Sequence, residues 1–147
     1  MNKKQKSLTN KGFSLVELII VIAIMAVLIG VLAPQYLKYV EKSRESADLS
    51  NYQEVISALQ VYASDSSNTT TLTAGTISFA KNAVPSATTT NAITVLQNAN
   101  IVDMSKMKMK STAYSDKVLK IDIVSGTPQF TINDATLAGE LGIGVTP

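Results

Sequence analysis

Glu17 is the single charge in a run of twenty-one residues, 13–33, reading FSLVELIIVIAIMAVLIGVLA. A carboxylate among packed apolar helices is costly unless it meets a cation, so the chemistry open to it is ion pairing. Few other side chains in the chain could react. The sequence has no His, no Cys and no Trp. Ser-His-Asp and Cys-His catalysis, thiolate or imidazole zinc sites and disulfides are thereby excluded. A carboxylate-only enzyme passes this filter, but nothing else in the chain argues for one, and neither catalytic residues nor cofactors are expected. Asp116, Asp122 and Asp134 could approach one another, yet no spaced calcium loop accompanies them, and no metal site is assigned. Met104, Met107 and Met109 read as strand packing, and Lys106, Lys108 and Lys110 between them as a small, solvated basic patch. Asn68-Thr69-Thr70 fits a glycosylation sequon, a tripeptide that is common by chance.

The element that must position Glu17 is the apolar run itself. Twenty-one helical residues rise about 31 Å, which matches a hydrocarbon core of about 30 Å. The run is apolar all round, and a chain of 147 residues has no core able to enclose it. It reads as a membrane span. Lys3, Lys4, Lys6 and Lys11 precede it without any acid, while Lys38, Glu41, Lys42, Arg44 and Glu45 on its other side nearly cancel. The positive-inside bias therefore puts the N-terminus in the cytoplasm and residues 34–147 outside. A cleaved secretory signal fits poorly. Its apolar region should be about 7–15 residues. Here the nearest small-residue site, Val31-Leu32-Ala33, runs straight into Pro34.

Beyond Pro34, residues 35–63 lack Gly and Pro and keep helical periodicity, with Leu49, Tyr52, Ile56, Leu59 and Ala63 on one face. Pro34 removes one backbone donor and should kink the helix without ending it. Tyr36 and Tyr39, just outside the run, resemble an interfacial aromatic belt. A polar stretch at 64–73 ends the helix, and residues 64–147 form the globular head. Its expected elements are a strand at 76–79, a short helix at 91–99 and a strand at 104–110. Thr90 is the expected N-cap of the short helix and Asn100 its left-handed stop. Leu119, Ile121 and Ile123 alternate with polar residues, as do Phe130 and Ile132 after Ser125-Gly126-Thr127-Pro128, which predicts a hairpin. The tail from Leu137 reads as Gly-rich and irregular. The expected fold is α+β, a long N-terminal helix packed on a small antiparallel sheet, with residues 49–63 as the covering layer.

The formal charge is +2, from 13 bases and 11 acids. Residues 1–12 carry four lysines, so the other 135 residues keep nine bases and all eleven acids, a balance of −2. The basic character belongs to the first twelve residues alone.

The junction Lys11-Gly12-Phe13-Ser14-Leu15-Val16-Glu17 resembles the type IV prepilin signature, in which a short basic leader ends in Gly, the apolar helix opens with Phe, and Glu lies four residues on. Pro34, twenty-second counted from Phe13, also matches, since pilins of this family commonly carry proline there. The detailed resemblance covers residues 9–45. It implies that residues 1–12 are a leader, cut between Gly12 and Phe13 by a membrane prepilin peptidase that then N-methylates the new Phe13 amine. It further implies that Glu17 pairs with the Phe13 amine of a neighbouring subunit, setting register. The implied product is a homopolymeric helical filament, built by an assembly ATPase and a membrane platform from subunits that wait in membrane lipid. Nucleic acid is not an expected direct partner. The precursor would lie in a bacterial cell membrane and the assembled chain in an extracellular pilus. The alternative within the superfamily is a pseudopilin of a type II secretion or competence apparatus. A third reading, from another class, is an uncleaved membrane-anchored enzyme or binding domain with a pocket in its head.

Overall fold

A computed structural model of the chain describes residues 12–146. The long helix α1 runs over Leu15–Ser64 and contains Pro34 without ending there. The chain divides into two compact units between Lys38 and Tyr39. In the first unit every described residue is exposed, and α1 is long and apolar enough there to cross a membrane. The apolar surface that a soluble protein would bury is here left entirely uncovered, as a lipid-facing helix requires.

The second unit joins the second half of α1 to the head. Its remaining elements are β1 (Gly75–Phe79), β2 (Ser86–Thr88), α2 (Ala92–Asn98), a 3-10 turn (Met104–Lys106), β3 (Lys117–Val124), β4 (Thr127–Ile132), α3 (Ala135–Leu141) and β5 (Gly144–Val145). The sheet order is β2-β1-β3-β4-β5. All neighbours are antiparallel except β4 and β5, which are parallel. The α+β architecture is as expected, but the sheet is mixed.

Alternation places the buried face. Ile77 lies opposite Leu119, Leu119 opposite Ile132, and Ile121 opposite Phe130, and all five side chains are buried. The second half of α1 supplies the covering layer, with Tyr52, Val55 and Leu59 wholly buried and Tyr62 nearly so. The rings of Tyr52 and Phe79 meet at 4.4 Å between centroids, tilted by 50°. Each of these large side chains contributes roughly 1.5–3 kcal/mol by leaving water. The stripe expected from periodicity lies slightly late: Asp48, Val55 and Tyr62 are buried, whereas Leu49 and Ala63, one residue further on, are only half-buried.

Three parts of the head depart from the expectations. Met104, Met107 and Met109 are buried as predicted, but not in a strand. Asp103 stops one from forming: its carboxylate accepts Ser105 N–H at 3.1 Å and Ser105 Oγ–H at 2.5 Å, which turns the chain into the 3-10 segment. The tail is ordered into α3 and β5. Asp134 caps α3 by accepting Leu137 N–H at 2.9 Å, and Gly142 ends it in the left-handed region at φ 66°. This short helix is the crossover that lets β5 return parallel to β4. Finally, β2 is wholly exposed and has no apolar pattern to announce it.

Thr90 and Asn100 act close to their expected roles. Thr90 Oγ accepts Ala92 N–H at 3.2 Å, one residue ahead of the structural N-cap Asn91, and Asn100 has φ 53°. The hairpin turn is the pair Ser125 and Gly126, with φ 53° and 81°, as a tight two-residue turn demands. Pro128 therefore lies within β4 rather than in the turn.

Candidate functional site at the head of the long helix

Gly12 and Phe13 precede the helix, and Phe13 is 92% exposed. A Cβ at Gly12 would meet open space, so the local fold places no demand for glycine there. Ser14 is where the helix is capped. Its backbone N–H donates to Glu17 Oε2 at 2.8 Å, while its Oγ accepts Val16 N–H at 3.4 Å. Ser14 and Glu17 thus form a capping box, Ser-x-x-Glu, in which each end satisfies a backbone donor that the first turn leaves free. A carboxylate in the first turn is also favoured by the helix dipole.

This arrangement gives Glu17 a local partner that the lone-carboxylate reading lacks. The Ser-x-x-Glu spacing before an apolar run was the sequence signal for it. The helix starts two residues later than the apolar run does, so Phe13 stands outside it. Glu17 is exposed on a surface made of Leu, Ile and Val, as are all its neighbours to Tyr39. Tyr36 and Tyr39 are 67% and 73% exposed, consistent with residues at an interface. Lys3, Lys4, Lys6 and Lys11 lie outside the described residues.

In the head, the weaker candidates disperse. Asp116 accepts Lys81 N–H at 3.4 Å, Asp122 pairs with Lys120 at 2.9 Å, and Asp134 pairs with Lys117 at 2.8 Å while capping α3. The Leu137 backbone bond, aided by Lys117, holds the Asp134 carboxyl below its ordinary value. The three carboxylates each have their own partner and are not gathered into a site. Asn68 of the sequon is half-buried and donates its side-chain amide to the Tyr62 carbonyl at 2.8 Å, so the acceptor nitrogen is engaged.

A cavity of about 300 Å³ lies beside it, lined by Tyr62, Asn68, Asn91, Thr94 and Asn98 among others. Two of its amides are already committed: Asn68 as above, and Asn91, which donates to the Thr71 carbonyl and accepts Thr73 N–H, each at 2.9 Å. Tyr62 is the one titratable residue in its lining, so no acid–base pair is gathered there.

Sequence periodicity also passes over one residue, Asp48. It is fully buried and accepts backbone N–H groups from Lys110 at 3.0 Å and Ser111 at 2.7 Å. Glu41, two turns earlier, accepts Thr112 N–H and pairs with Arg44 at 3.5 Å. The Thr112 bond is the main reason its carboxyl is held below the ordinary value. Asp48 sits four residues before Tyr52 on the apolar stripe, and a carboxylate at a stripe position was the clue. Nearby, Tyr52 donates its hydroxyl to the Tyr114 carbonyl at 2.9 Å, and burial pushes its phenol well up. Tyr114 is pushed up to about 12, by burial and by its bond to Glu140.

Comparison with protein families matches residues 8–33 to the prokaryotic N-terminal methylation motif. Comparison with curated proteins and with solved structures returned no significant match. The matched residues hold Gly12, Phe13, the capping box and the whole apolar run. Motif and helix together support a membrane-anchored precursor and its processing by a prepilin peptidase. Residues 8–33 therefore carry the prokaryotic N-terminal methylation motif, which supports the type IV pilin or pseudopilin class.

Proposed function

We propose that the chain is the structural subunit of a type IV pilus. Residues 1–12 are the leader, removed between Gly12 and Phe13, and Phe13 is then N-methylated. Residues 13–63 polymerise as the filament core, of which 13–33 first span the membrane, and 64–147 coat the outside. One observation carries this reading: the uncovered apolar surface from Leu15 to Leu37, opened by a carboxylate at Glu17 and backed by the methylation motif. Such a surface gains by sideways burial against copies of itself, which keeps a fibre together without covalent links.

Within that fibre the Phe13 amine of one subunit is the cation that a desolvated Glu17 needs. Glu17 exchanges the Ser14 N–H for that cation, and only the correct axial stagger permits the exchange. Pro34 marks the one interior position of the span's end where the helix lacks a backbone donor, and so the place where it bends on packing.

The test is electron microscopy and immunoblotting of material sheared from cells. Abundant thin fibres containing this chain are expected. Finding the chain only in membranes, with protein export or DNA uptake lost on its deletion, would instead assign it to a pseudopilin.

A further inference from the structure

The cavity beside Asn68 has walls that are polar and carry no formal charge. About 300 Å³ in volume, it is lined by α2 and by the stretch 67–70, and none of its lining residues is Asp, Glu, Lys or Arg. The pattern of α2 makes its wall polar. Ala92, Val95 and Leu96 are buried in the core, whereas Asn91, Thr94 and Asn98 recur at spacings of three and four and share another stripe. Tyr62 and Val95, both buried, join Ala99 in giving the cavity an apolar surface as well.

Bonds within the chain fix these walls. Tyr62 donates its hydroxyl to the Thr70 carbonyl at 3.0 Å, and the Asn68 and Asn91 amides donate to the Tyr62 and Thr71 carbonyls. Thr94 and Asn98 are exposed, and neither side chain is spent on a hydrogen bond among the described residues. One helical turn apart, they present a hydroxyl and a primary amide, each able both to donate and to accept. A charged ligand would lose its hydration here without a counter-charge, and a wholly apolar one would bury those groups unpaired. What fits is a neutral molecule whose hydroxyls donate and accept along its rim while its carbon face meets Tyr62, Val95 and Ala99. Small-molecule pockets measure about 300–1,000 Å³, so this one, at the lower end, suits a single ring.

We propose that this cavity binds one pyranose ring of a neutral sugar, with Thr94 and Asn98 as its hydrogen-bonding residues. Two adjacent hydroxyls on a sugar ring match a primary amide at two points: one donates to the Asn98 carbonyl oxygen and its neighbour accepts an Asn98 N–H. The Thr94 hydroxyl, one turn back on the same stripe, takes a third. Few atoms and two free side chains make such binding weak, with a dissociation constant on the order of 1–10 mM. A free monosaccharide and the end of a glycan chain share this chemistry. The proposal concerns the head alone and stands whether or not the chain assembles into a fibre.

The experiment is nuclear magnetic resonance of the isotopically labelled full-length chain in a detergent without sugar groups, reading the side-chain amide signals of asparagine. Glucose, galactose, mannose and N-acetylglucosamine are each titrated to about 100 mM. At least one is expected to move the Asn91 and Asn98 signals saturably. Asn133, whose side chain accepts Val118 N–H on the sheet, serves as the internal reference and keeps its position. Asn98→Ala should weaken binding about fivefold or more, read from the Asn91 signal, while Thr94→Ser retains it. Thr94→Trp fills the cavity and should abolish binding with the reference signal unmoved. Methyl glycosides separate the two sources: equal binding supports a glycan end, and loss of binding supports the free sugar. No saturable shift with any of the four sugars overturns the proposal, as do shifts that persist in Thr94→Trp. Saturable shifts with glucuronate alone overturn it in favour of an anion site, and with an uncharged glycine–serine peptide alone in favour of a peptide site.

Discussion

The carboxylate of Asp48 accepts the backbone N–H of Ser111 at 2.7 Å, joining residues sixty-three positions apart. Both partners are buried. With the two Lys110 bonds at 3.0 Å, the relationship fixes an irregular loop on the helix that covers the sheet. The loop has no strand ladder to satisfy its amides, so the helix does it with a side chain. The same latch brings Lys110 to Arg44 and Lys81 around one groove.

Asp48→Ala removes the acceptor and strands two backbone donors in the core. The head should lose about 3 kcal/mol, against a smaller loss for Asp48→Asn, which keeps one acceptor oxygen. Urea unfolding of the full chain in detergent, followed by near-ultraviolet circular dichroism, measures both. An unchanged midpoint for Asp48→Ala would show that the latch contributes nothing.

Gly75 and Gly126 separate strain from collision. Gly75 has φ 155°, and a Cβ there would stand 2.5 Å from the Thr88 carbonyl oxygen and 2.6 Å from Thr90 N. Gly126 has φ 81° with open space around it. Gly126→Ala should cost about 1 kcal/mol, the left-handed backbone alone. Gly75→Ala should cost more, about 2–4 kcal/mol, because backbone atoms must also move. Equal midpoints for the two variants would contradict this.

Acid should loosen the C-terminal end of the sheet. Asp134 is held below its ordinary value of 3.8 by the Leu137 N–H and by Lys117. A carboxyl depressed in the folded state stabilises fully above its unfolded value and loses that contribution as pH falls through the folded one. Stability should therefore fall as the pH drops below about 3.8, and Asp134→Asn should flatten the slope. Denaturant midpoints measured from pH 6 downward check the sign.

Glu17 has two separable jobs, a local one on Ser14 and a proposed one on the neighbouring subunit. Glu17→Gln keeps an amide oxygen for the capping box but loses the charge, whereas Glu17→Ala loses both. Both variants should be cleaved normally and assemble poorly, since an unpaired buried Phe13 amine costs about 3–5 kcal/mol. Ser14→Ala should instead leave the charge pair and weaken the first turn by about 1 kcal/mol, seen as faster hydrogen exchange at residues 15–17. Normal fibre yield from Glu17→Gln would remove the register role and leave the cap.

What was legible in the sequence was whatever repeats. The 3.6-residue stripe of Tyr52, Ile56 and Leu59 and the two-residue alternation of Leu119, Ile121, Phe130 and Ile132 placed the covering helix and the hairpin. Short-range chemistry was harder to read. The Asp103 turn overrode an alternating Met and Lys pattern, and the Asp134 cap with the Gly142 stop ordered a tail whose glycines read as loop. β2 has only Ser86, Ala87 and Thr88 and owes its existence to pairing with β1. At the N-terminus, Gly12, Phe13 and Glu17 were legible as a motif, while the hydrogen bond between Ser14 and Glu17 was there in the spacing and needed only the capping rule to be seen. The groove lined by Arg44, Lys81 and Lys110 was not legible, because tertiary bonds between distant segments bring these residues together.

The most direct test of a processed, polymerised subunit is the intact mass of the chain recovered from sheared surface fibres. A mass corresponding to residues 13–147 with one added methyl group on the Phe13 amine is the predicted result. A chain that still begins at Met1 or Asn2 would contradict it.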